Sequence, residues 1–257
     1  MKVYGQQYDQ YDLSLFLWIV GVLIFSAWWF TEYGMWWIPL ELAMVLILWL
    51  TAMTYVPFIR QTKRYGLTIV FVLWLFALAV ELFAIQTCWL YGCFTYSDLL
   101  GYKIMWAVPR ILFFTWPPLV LGAVWLFNHF KTSPRILAFW SGLLLVVIDL
   151  ILDPVAVAQG FWSFSESGRW YNIPWTNFLG WLLSGTVGSY LLLNLLQDAN
   201  YPDAPKSQYM RWSLFCSLVF FSSAAFFLGL LWPGVIGVVL IILYLVLAAR
   251  HGHILHP

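Results

Sequence analysis

Two aspartates stand four residues apart in an otherwise apolar segment, the sequence DLILDP that begins at Asp149 and continues through Asp153 to Pro154. Residues four apart lie on the same face of a helix, so we expect the two carboxyl groups to be neighbours. Neighbouring carboxyl groups in apolar surroundings do not both ionise easily. One protonated acid beside one carboxylate is the arrangement that general acid and base catalysis requires. Asp153 could instead cap the helix, because a residue before proline disfavours helical geometry, and we therefore predict that this helix ends near Asp153.

Glu81 is a further isolated acid, at the end of the apolar run FVLWLFALAVE. A charged residue at the centre of a transmembrane helix costs about 2.5–3.5 kcal/mol even on the most lenient scale. Acids in such surroundings are therefore functional candidates by default. A purely structural role is the alternative for Glu81 and for Asp149.

The elements that hold these acids are apolar along their whole length. The chain has 257 residues, of which 63% are hydrophobic and 9% charged, so it lacks the polar surface of a soluble domain. A bilayer core needs about 20 apolar residues per helix, and long uninterrupted runs favour helices over a membrane barrel. We predict an all-α fold with a single transmembrane domain, residues 1–257, built as a polytopic membrane helix bundle. About eight transmembrane helices are expected, at 13–30, 36–58, 67–86, 104–128, 136–152, 174–197, 212–231 and 233–250.

Basic residues predict the orientation of this bundle. With eight spans, nine basic residues fall on one side of the membrane, whereas Lys103 and Arg169 lie in loops of the other side. Because Lys and Arg accumulate on the cytoplasmic side, both termini are predicted to be cytoplasmic in a multi-pass protein of the cell membrane. The polar N-terminal segment gives no sign of a cleavable signal peptide, and a net charge of +1 argues against a nucleic-acid partner. The nine residues are Lys2, Arg60, Lys63, Arg64, Lys131, Arg135, Lys206, Arg211 and Arg250.

The acids are distributed unevenly across the predicted membrane. Of the 11 carboxylates, seven fall in the outer half of the bundle or in its outer loops, where three basic residues could pair with them. The remaining acids must face water, bind a cation or hold a proton. Some of the seven could simply occupy interface or loop positions, namely Glu32, Glu41 and Glu166. The full set is Glu32, Glu41, Glu81, Asp98, Asp149, Asp153 and Glu166, and the three bases are Lys103, Arg110 and Arg169.

Aromatic residues dominate the two long outer connections, 87–103 and 154–173. Loops of this composition are expected to fold back onto the bundle and to roof a cavity. The face of a well-placed ring stabilises a nearby cation by about 0.5–2 kcal/mol. Cys88 and Cys93 lie on the same side, where a disulfide is chemically possible, whereas Cys216 falls inside a predicted helix.

Three prolines fall in the fourth predicted span. Pro109, Pro117 and Pro118 each remove a backbone donor, which predicts a kinked or broken helix. Membrane helices tolerate proline well, so the alternative is that the kink is purely architectural.

Two segments carry a family pattern. The first, ELFAIQTCWLYGCFTYSDLLG, is similar to a pattern of Glu, Thr-Gly, an aromatic-Gly pair, Tyr-x-Tyr and a closing Gly. The second, DLILDPVAVAQGFWSF followed by WYNIPWTNFLGW, is similar to Asp-x-x-x-Asp-Pro, Gly-x-Trp, Tyr-Gly-Ile-Pro and Asn-Phe-x-Gly-Trp. In these segments the chain resembles the membrane-type carotenoid biosynthesis family. Three positions depart from the pattern, since Cys88 and Asn172 stand where Gly is usual and Phe94 stands where Tyr is usual.

The resemblance implies a carotenoid 1,2-hydratase, a cofactor-independent carbon–oxygen lyase that acts on acyclic carotenoid ends. Hydration of the terminal 1,2 double bond protonates the less substituted carbon, passes through a tertiary carbocation and ends with capture of water as a tertiary alcohol. This chemistry needs an acid in a dry pocket, a polar group that holds water and rings that stabilise the cation. It needs no metal or redox cofactor, and the sequence has no dinucleotide fingerprint, P-loop or histidine cluster. The expected partners are membrane lipid and the carotenoid, which could be lycopene, γ-carotene or a longer carotenoid with an acyclic end.

The four acids have two predicted roles under this hypothesis. Asp149 or Glu81 donates the proton, and Asp153 or Asp98 positions and deprotonates the water. The sequence does not assign donor and base individually.

Polar and aromatic side chains complete the predicted site. Asn177 would orient water or a carboxylate, and Arg110, on the bent fourth helix, would hold one carboxylate ionised. The other candidates for substrate binding, mostly as stabilisers of the cation, are Tyr91, Tyr96, Trp162, Tyr171 and Trp181.

Three other functions remain open. Cyclisation of the same polyene end also begins with protonation, so only the product distinguishes a cyclase from a hydratase. DLILD has the Asp-x-x-x-Asp spacing of membrane prenyltransferases, but a second Asp-rich motif is absent from the sequence. A proton-coupled transporter could use the acids as a relay, although the sequence shows no convincing inverted repeat or pair of broken helices.

Overall fold

The computed structural model describes residues 17, 19–32, 55–56, 58–60, 62–127, 130, 132–198 and 210–250. Most of these residues are helical, as predicted. Helical backbone occurs at 17, 55–56, 58–60 and 62 and in seven longer elements. These are α1 (Ile19–Glu32), α2 (Arg64–Thr87), α3 (Leu112–Phe127), α4 (Pro134–Ala158), α5 (Trp175–Asp198), α6 (Met210–Phe227) and α7 (Leu231–Arg250).

Three of the described helices are long and apolar enough to cross a membrane, over Tyr65–Thr87, Pro134–Ala158 and Trp175–Asp198. Shorter apolar helices occupy Ile19–Glu32, Leu112–Phe127, Leu214–Phe227 and Leu231–Leu247. These lengths and compositions are those of a membrane protein. The count of eight spans and the cytoplasmic position of both termini stay predictions, and most of the predicted span 36–58 lies outside the described residues.

Among the described helices, α4 and α5 share the most extensive packing. Ser133 begins α4 as its N-cap, because its hydroxyl accepts the Ile136 N–H, and Pro134 follows at a position where a missing N–H costs nothing. Gly142 then allows α5 to approach, since a Cβ at this position would overlap the Thr186 side chain. Small residues at such crossings let membrane helices pack closely.

The fourth predicted span begins too early, and this prediction is wrong. Lys103–Ile104 (β2) and Val108–Pro109 (β3) pair as an antiparallel hairpin, and the helix begins at Leu112. Met105 and Trp106, in the turn between these strands, have φ values of 51° and 62°, which a right-handed helix does not permit. Pro109 therefore lies in the hairpin, whereas Pro117 and Pro118 lie inside α3 as predicted.

The predicted end of the fifth span near Asp153 is also wrong. α4 continues through Pro154 to Ala158. Proline at 154 cannot donate to the carbonyl of Leu150, but that carbonyl accepts a hydrogen bond from the Trp170 indole instead. Because the freed backbone acceptor has a partner, the helix is not forced to stop, and Asp153 lies inside the helix instead of capping its end.

The two aromatic connections fold back onto the bundle, as predicted, and they also pair with each other, which was not predicted. Phe94–Tyr96 (β1) pairs antiparallel with Trp162–Phe164 (β4), with Tyr96 opposite Trp162. The first connection also contacts α5, since the Tyr91 hydroxyl bonds to Ser184. The expected cavity beneath these connections stays a prediction.

Candidate active site

Asp149 and Asp153 lie one turn apart on α4, and both are buried. Asn177, in the first turn of α5, donates from its Nδ2 to Asp149 Oδ2 and to Asp153 Oδ2, each at 2.7 Å. The predicted proximity of the two carboxyl groups is therefore present, because the close packing of α4 on α5 brings one amide between them. Asn177 is itself 3% exposed, so this polar group of three is shielded from water.

The two carboxyl groups are neighbours one helical turn apart, joined through the same Asn177 amide. Two carboxylates repel at this range, whereas a carboxylic acid and a carboxylate share a proton. Asp149 Oδ1 is buried and has no hydrogen-bond partner among the described residues. The arrangement can therefore store one proton in a dry environment and present an oxygen that no protein group occupies.

Glu81 approaches the pair from α2. Its side chain is 8% exposed, and its Oε2 accepts a hydrogen bond of 3.0 Å from the Tyr96 hydroxyl. Glu81 is also an electrostatic neighbour of Asp153. Burial, followed by the negative charge of Glu81, raises the pKa of the Tyr96 phenol well above its usual value, so this phenol stays protonated and donates.

Tyr91 brings a second phenol to the acids. Its hydroxyl donates to Ser184 Oγ at 2.8 Å, and its ring packs against α5 at Gly180, where a Cβ would overlap the ring. Burial is the largest cause of the raised pKa of Tyr91, and the charges of Glu81 and of the two aspartates on α4 raise this pKa further. The phenol therefore lies within the electrostatic influence of all three acids. Sequence reasoning missed Ser184, although its spacing from Asn177 and Gly180 is that of one helical face.

The other predicted aromatic side chains divide between two places. Trp162 contacts the Tyr96 ring edge-on, with 5.7 Å between centroids, and Trp181 packs partly buried beside Tyr91. Tyr171 points elsewhere, because its hydroxyl accepts the backbone N–H of Trp232 at 3.4 Å at the start of α7. The structure thus brings Trp162 and Trp181 to the two tyrosines near the acids, Tyr96 and Tyr91, and directs Tyr171 towards another helix.

Asp98 and Arg110 do not join the buried acids. Asp98 is fully exposed and forms an ion pair of 2.7 Å with Lys103, whose ammonium also donates to the Tyr96 carbonyl. Arg110 is exposed in the turn before α3, so its predicted place on a bent helix beside a carboxylate is not observed. Among the described residues, no basic side chain contacts Glu81, Asp149 or Asp153.

The remaining sequence candidates are placed as follows. Glu32 and Glu166 are exposed, and Glu41 lies outside the described residues. Within the described part of the chain, no group of three or more His, Cys, Asp or Glu side chains is arranged to hold a metal ion. Cys88 and Cys93 form a disulfide, which closes the loop that carries Tyr91, and Cys216 is free and buried.

The helices and their buried acids define a helical membrane protein with a candidate acid–base site. The family model described as "Carotenoid biosynthesis protein" matches residues 42–244, which include every residue of this site. The chain therefore belongs to the carotenoid biosynthesis protein family, and the resemblance in its sequence is confirmed.

The chain is also similar to a curated protein. The relative is named bisanhydrobacterioruberin hydratase, from Haloarcula japonica, and is 41% identical over 135 residues, or 50% of this chain. The aligned part is 45% of that protein, so the chain spans about half the length of the relative that it matches. No solved structure matches the chain.

Proposed function

We propose that the protein is a carotenoid hydratase, a hydro-lyase that adds water across the terminal 1,2 double bond of an acyclic carotenoid end group. The observation that carries the proposal is the buried acid cluster, in which Asn177 bridges Asp149 and Asp153 and Tyr96 donates to Glu81. Membership in a carotenoid biosynthesis family and the likeness to a protein named as a hydratase support it. The enzyme is expected to be a multi-pass protein of the cell membrane, where its apolar substrate dissolves.

The proposed reaction is acid-catalysed hydration of an alkene. A carboxylic acid transfers its proton to the less substituted carbon, and the π electrons form the new C–H bond. The adjacent carbon becomes a tertiary cation, the oxygen of water bonds to it, and the water loses a proton to a carboxylate. One H and one OH are added with no net electron transfer, so the step requires no oxidant or reductant.

Asp149 is the proposed proton donor and Asp153 the proposed base. Asp149 Oδ1 has no hydrogen-bond partner in the described structure, so a proton on this oxygen is not engaged by another protein group. Asn177 donates to both side chains, so it stabilises the negative charge that Asp149 acquires when it gives up its proton, because hydrogen bonds to a carboxylate favour its charged form. When Asp153 takes the proton from water, direct transfer to Asp149 restores the starting state without an external donor.

Glu81 and its neighbouring rings complete the proposed mechanism. Glu81, held by the Tyr96 hydroxyl, would accept a hydrogen bond from the attacking water and so direct its oxygen to the cation. Tyr96, Trp162 and Trp181 would stabilise the cation through their ring faces, at about 0.5–2 kcal/mol each. Because the surroundings are apolar, each of these electrostatic effects is stronger than in water.

Product analysis tests the proposal. The chain is expressed in a lycopene-producing bacterium, and the extracted carotenoids are examined for a mono- or dihydroxylated product. Labelled water should supply the new oxygen, and chelation of divalent cations should leave the yield unchanged. Oxygen from labelled O₂ would refute hydration, a cyclic isomer without oxygen would indicate a cyclase, and loss of activity on chelation would favour a prenyltransferase-like site. If proton or solute flux were measured in liposomes without any new carotenoid, the transporter alternative would replace the enzyme.

A further inference from the structure

Pro154 removes one backbone hydrogen bond from α4, beside the two buried aspartates. In an uninterrupted helix the N–H of residue 154 bonds to the carbonyl of Leu150, but proline has no N–H. The Leu150 carbonyl instead accepts a hydrogen bond of 3.1 Å from the indole Nε1 of Trp170. A side chain from the aromatic connection thus replaces a backbone donor at the residue next to Asp149.

A tight turn presents the Trp170 side chain to α4. The Ile173 N–H donates to the Trp170 carbonyl at 2.8 Å, and the two residues between them, Tyr171 and Asn172, have left-handed φ values of 48° and 67°. Gly168 is required here, because a Cβ at this position would overlap the Ile173 carbonyl. The same turn leads directly into α5, so it links the backbone of α4 to the helix that carries the bridging amide.

We propose that Trp170 is a positioning residue for the pair of Asp149 and Asp153. Its indole N–H fixes the helical turn that separates the two carboxyl groups and so sets their distance from the substrate and from Asn177. This inference rests on the proposed hydratase function, because it assigns Trp170 to the acid pair of that reaction. A shift of about 1 Å at a reacting group costs on the order of 100-fold in rate, so a small movement of this turn has a measurable effect.

The test begins with Trp170→Phe, which keeps an aromatic ring and removes the donor. We expect kcat to fall about tenfold or more while KM changes little, since the substrate contacts other side chains. Trp175→Phe is the matched control, because Trp175 follows in the same segment and its side chain is 70% exposed. This control should keep the wild-type rate.

A second variant isolates the hydrogen bond from the packing of the ring. Pro154→Ala supplies the missing N–H to the Leu150 carbonyl and makes the indole donor unnecessary. The double variant P154A/W170F should therefore recover most of the kcat that W170F loses, and P154A alone should remain close to wild type. If the double variant stays as slow as W170F, the ring and not its N–H is what matters, and the inference is overturned.

Two further readouts separate the possible outcomes. Rates are normalised to folded protein and accompanied by melting temperatures, because a purely structural hydrogen bond would reduce the amount of folded enzyme and leave kcat per folded molecule unchanged. An active wild type with a full-rate W170F variant refutes this inference alone. A wild type that yields no hydrated carotenoid refutes the proposed function, and the inference falls with it.

Discussion

Asp98 and Asp149 carry the same carboxyl group, but the protein gives them opposite surroundings. Asp98 begins a 3-10 turn, Asp98–Leu100, with its side chain exposed, and Lys103 stabilises its charge and lowers its pKa. Asp149 is completely buried between α4 and α5, with Asp153 and Asn177 as its polar neighbours. An exposed ion-paired carboxylate has no proton to give at neutral pH, whereas a buried pair without a base retains one. Under the proposed reaction, burial, more than the number of acids, distinguishes the groups that transfer the proton.

Replacing Asp149 should have the largest effect. Asp149→Asn removes the proposed proton donor and keeps the shape of the side chain, so hydration should fall about 100-fold or more, the usual contribution of a general acid. The rate of formation of the hydroxylated carotenoid in isolated membranes, per amount of folded enzyme, measures this change. Near-normal turnover would make Asp149 a structural charge and would remove the contrast with Asp98.

Removal of the bridging amide should have the next largest effect. Asn177→Leu keeps the branched shape of the side chain and leaves both carboxyl groups without their shared donor, and losing a hydrogen bond to a charged group costs about 1.5–3 kcal/mol. We expect a loss of roughly tenfold to 100-fold in kcat. Asn194→Leu is the matched control on the same helix, because the Asn194 amide donates to the Tyr190 carbonyl, away from the acids. Equal rates in both variants would contradict the role of the bridge.

Loss of the Tyr96 hydroxyl should have a smaller effect. Tyr96→Phe keeps the ring beside Trp162 and removes the donor to Glu81, so we expect the rate to fall about tenfold. The control is Tyr102→Phe, whose side chain is 66% exposed on the way to the hairpin. Comparison of initial rates in the two variants is sufficient. A fall in Tyr102→Phe as large as that in Tyr96→Phe would show a general effect on the connection.

The sequence predicts the acid cluster better than it predicts the backbone around it. Asp149, Asp153 and Asn177 could be placed from helical spacing and the family pattern, because both depend on local periodicity. The limits of the fourth and fifth spans could not. The fourth begins late because a short hairpin, 103–109, precedes it, and the fifth continues because a distant side chain compensates for Pro154. The indole that satisfies the Leu150 carbonyl comes from Trp170, 20 residues away, and no local pattern reveals it.

Two departures from the family pattern now have a physical explanation. Cys88 and Asn172 stand where Gly is usual, and both have left-handed φ values, 57° and 67°. Glycine adopts this conformation without cost, and asparagine tolerates it better than most residues. Cys88 has no such preference, but it caps α2 and is bonded to Cys93. The pattern therefore records backbone geometry at these two positions.

A comparison of two disulfide-free variants sharpens this interpretation. Cys88→Gly with Cys93→Ser should be about 1 kcal/mol more stable than Cys88→Ser with Cys93→Ser, because only glycine relieves the left-handed conformation. Thermal unfolding of the two double variants in detergent measures the difference, and the shared Cys93→Ser change cancels. Equal melting temperatures would show that the C-cap of α2 does not depend on the residue at 88.

Replacement of Asp98 should have the smallest effect, and it completes the comparison with Asp149. Asp98→Asn removes the ion pair with Lys103 but no group that contacts the buried acids, so the rate of hydration should equal that of the wild type. Because Lys103 lowers the pKa of Asp98, any stability from the pair is present above the usual carboxyl pKa and is lost as the pH falls through the lowered value. Melting temperatures of wild type and variant should therefore converge at low pH. A large loss of hydration in Asp98→Asn at neutral pH would instead return Asp98 to the reaction and show that exposure does not exclude a carboxylate from this chemistry.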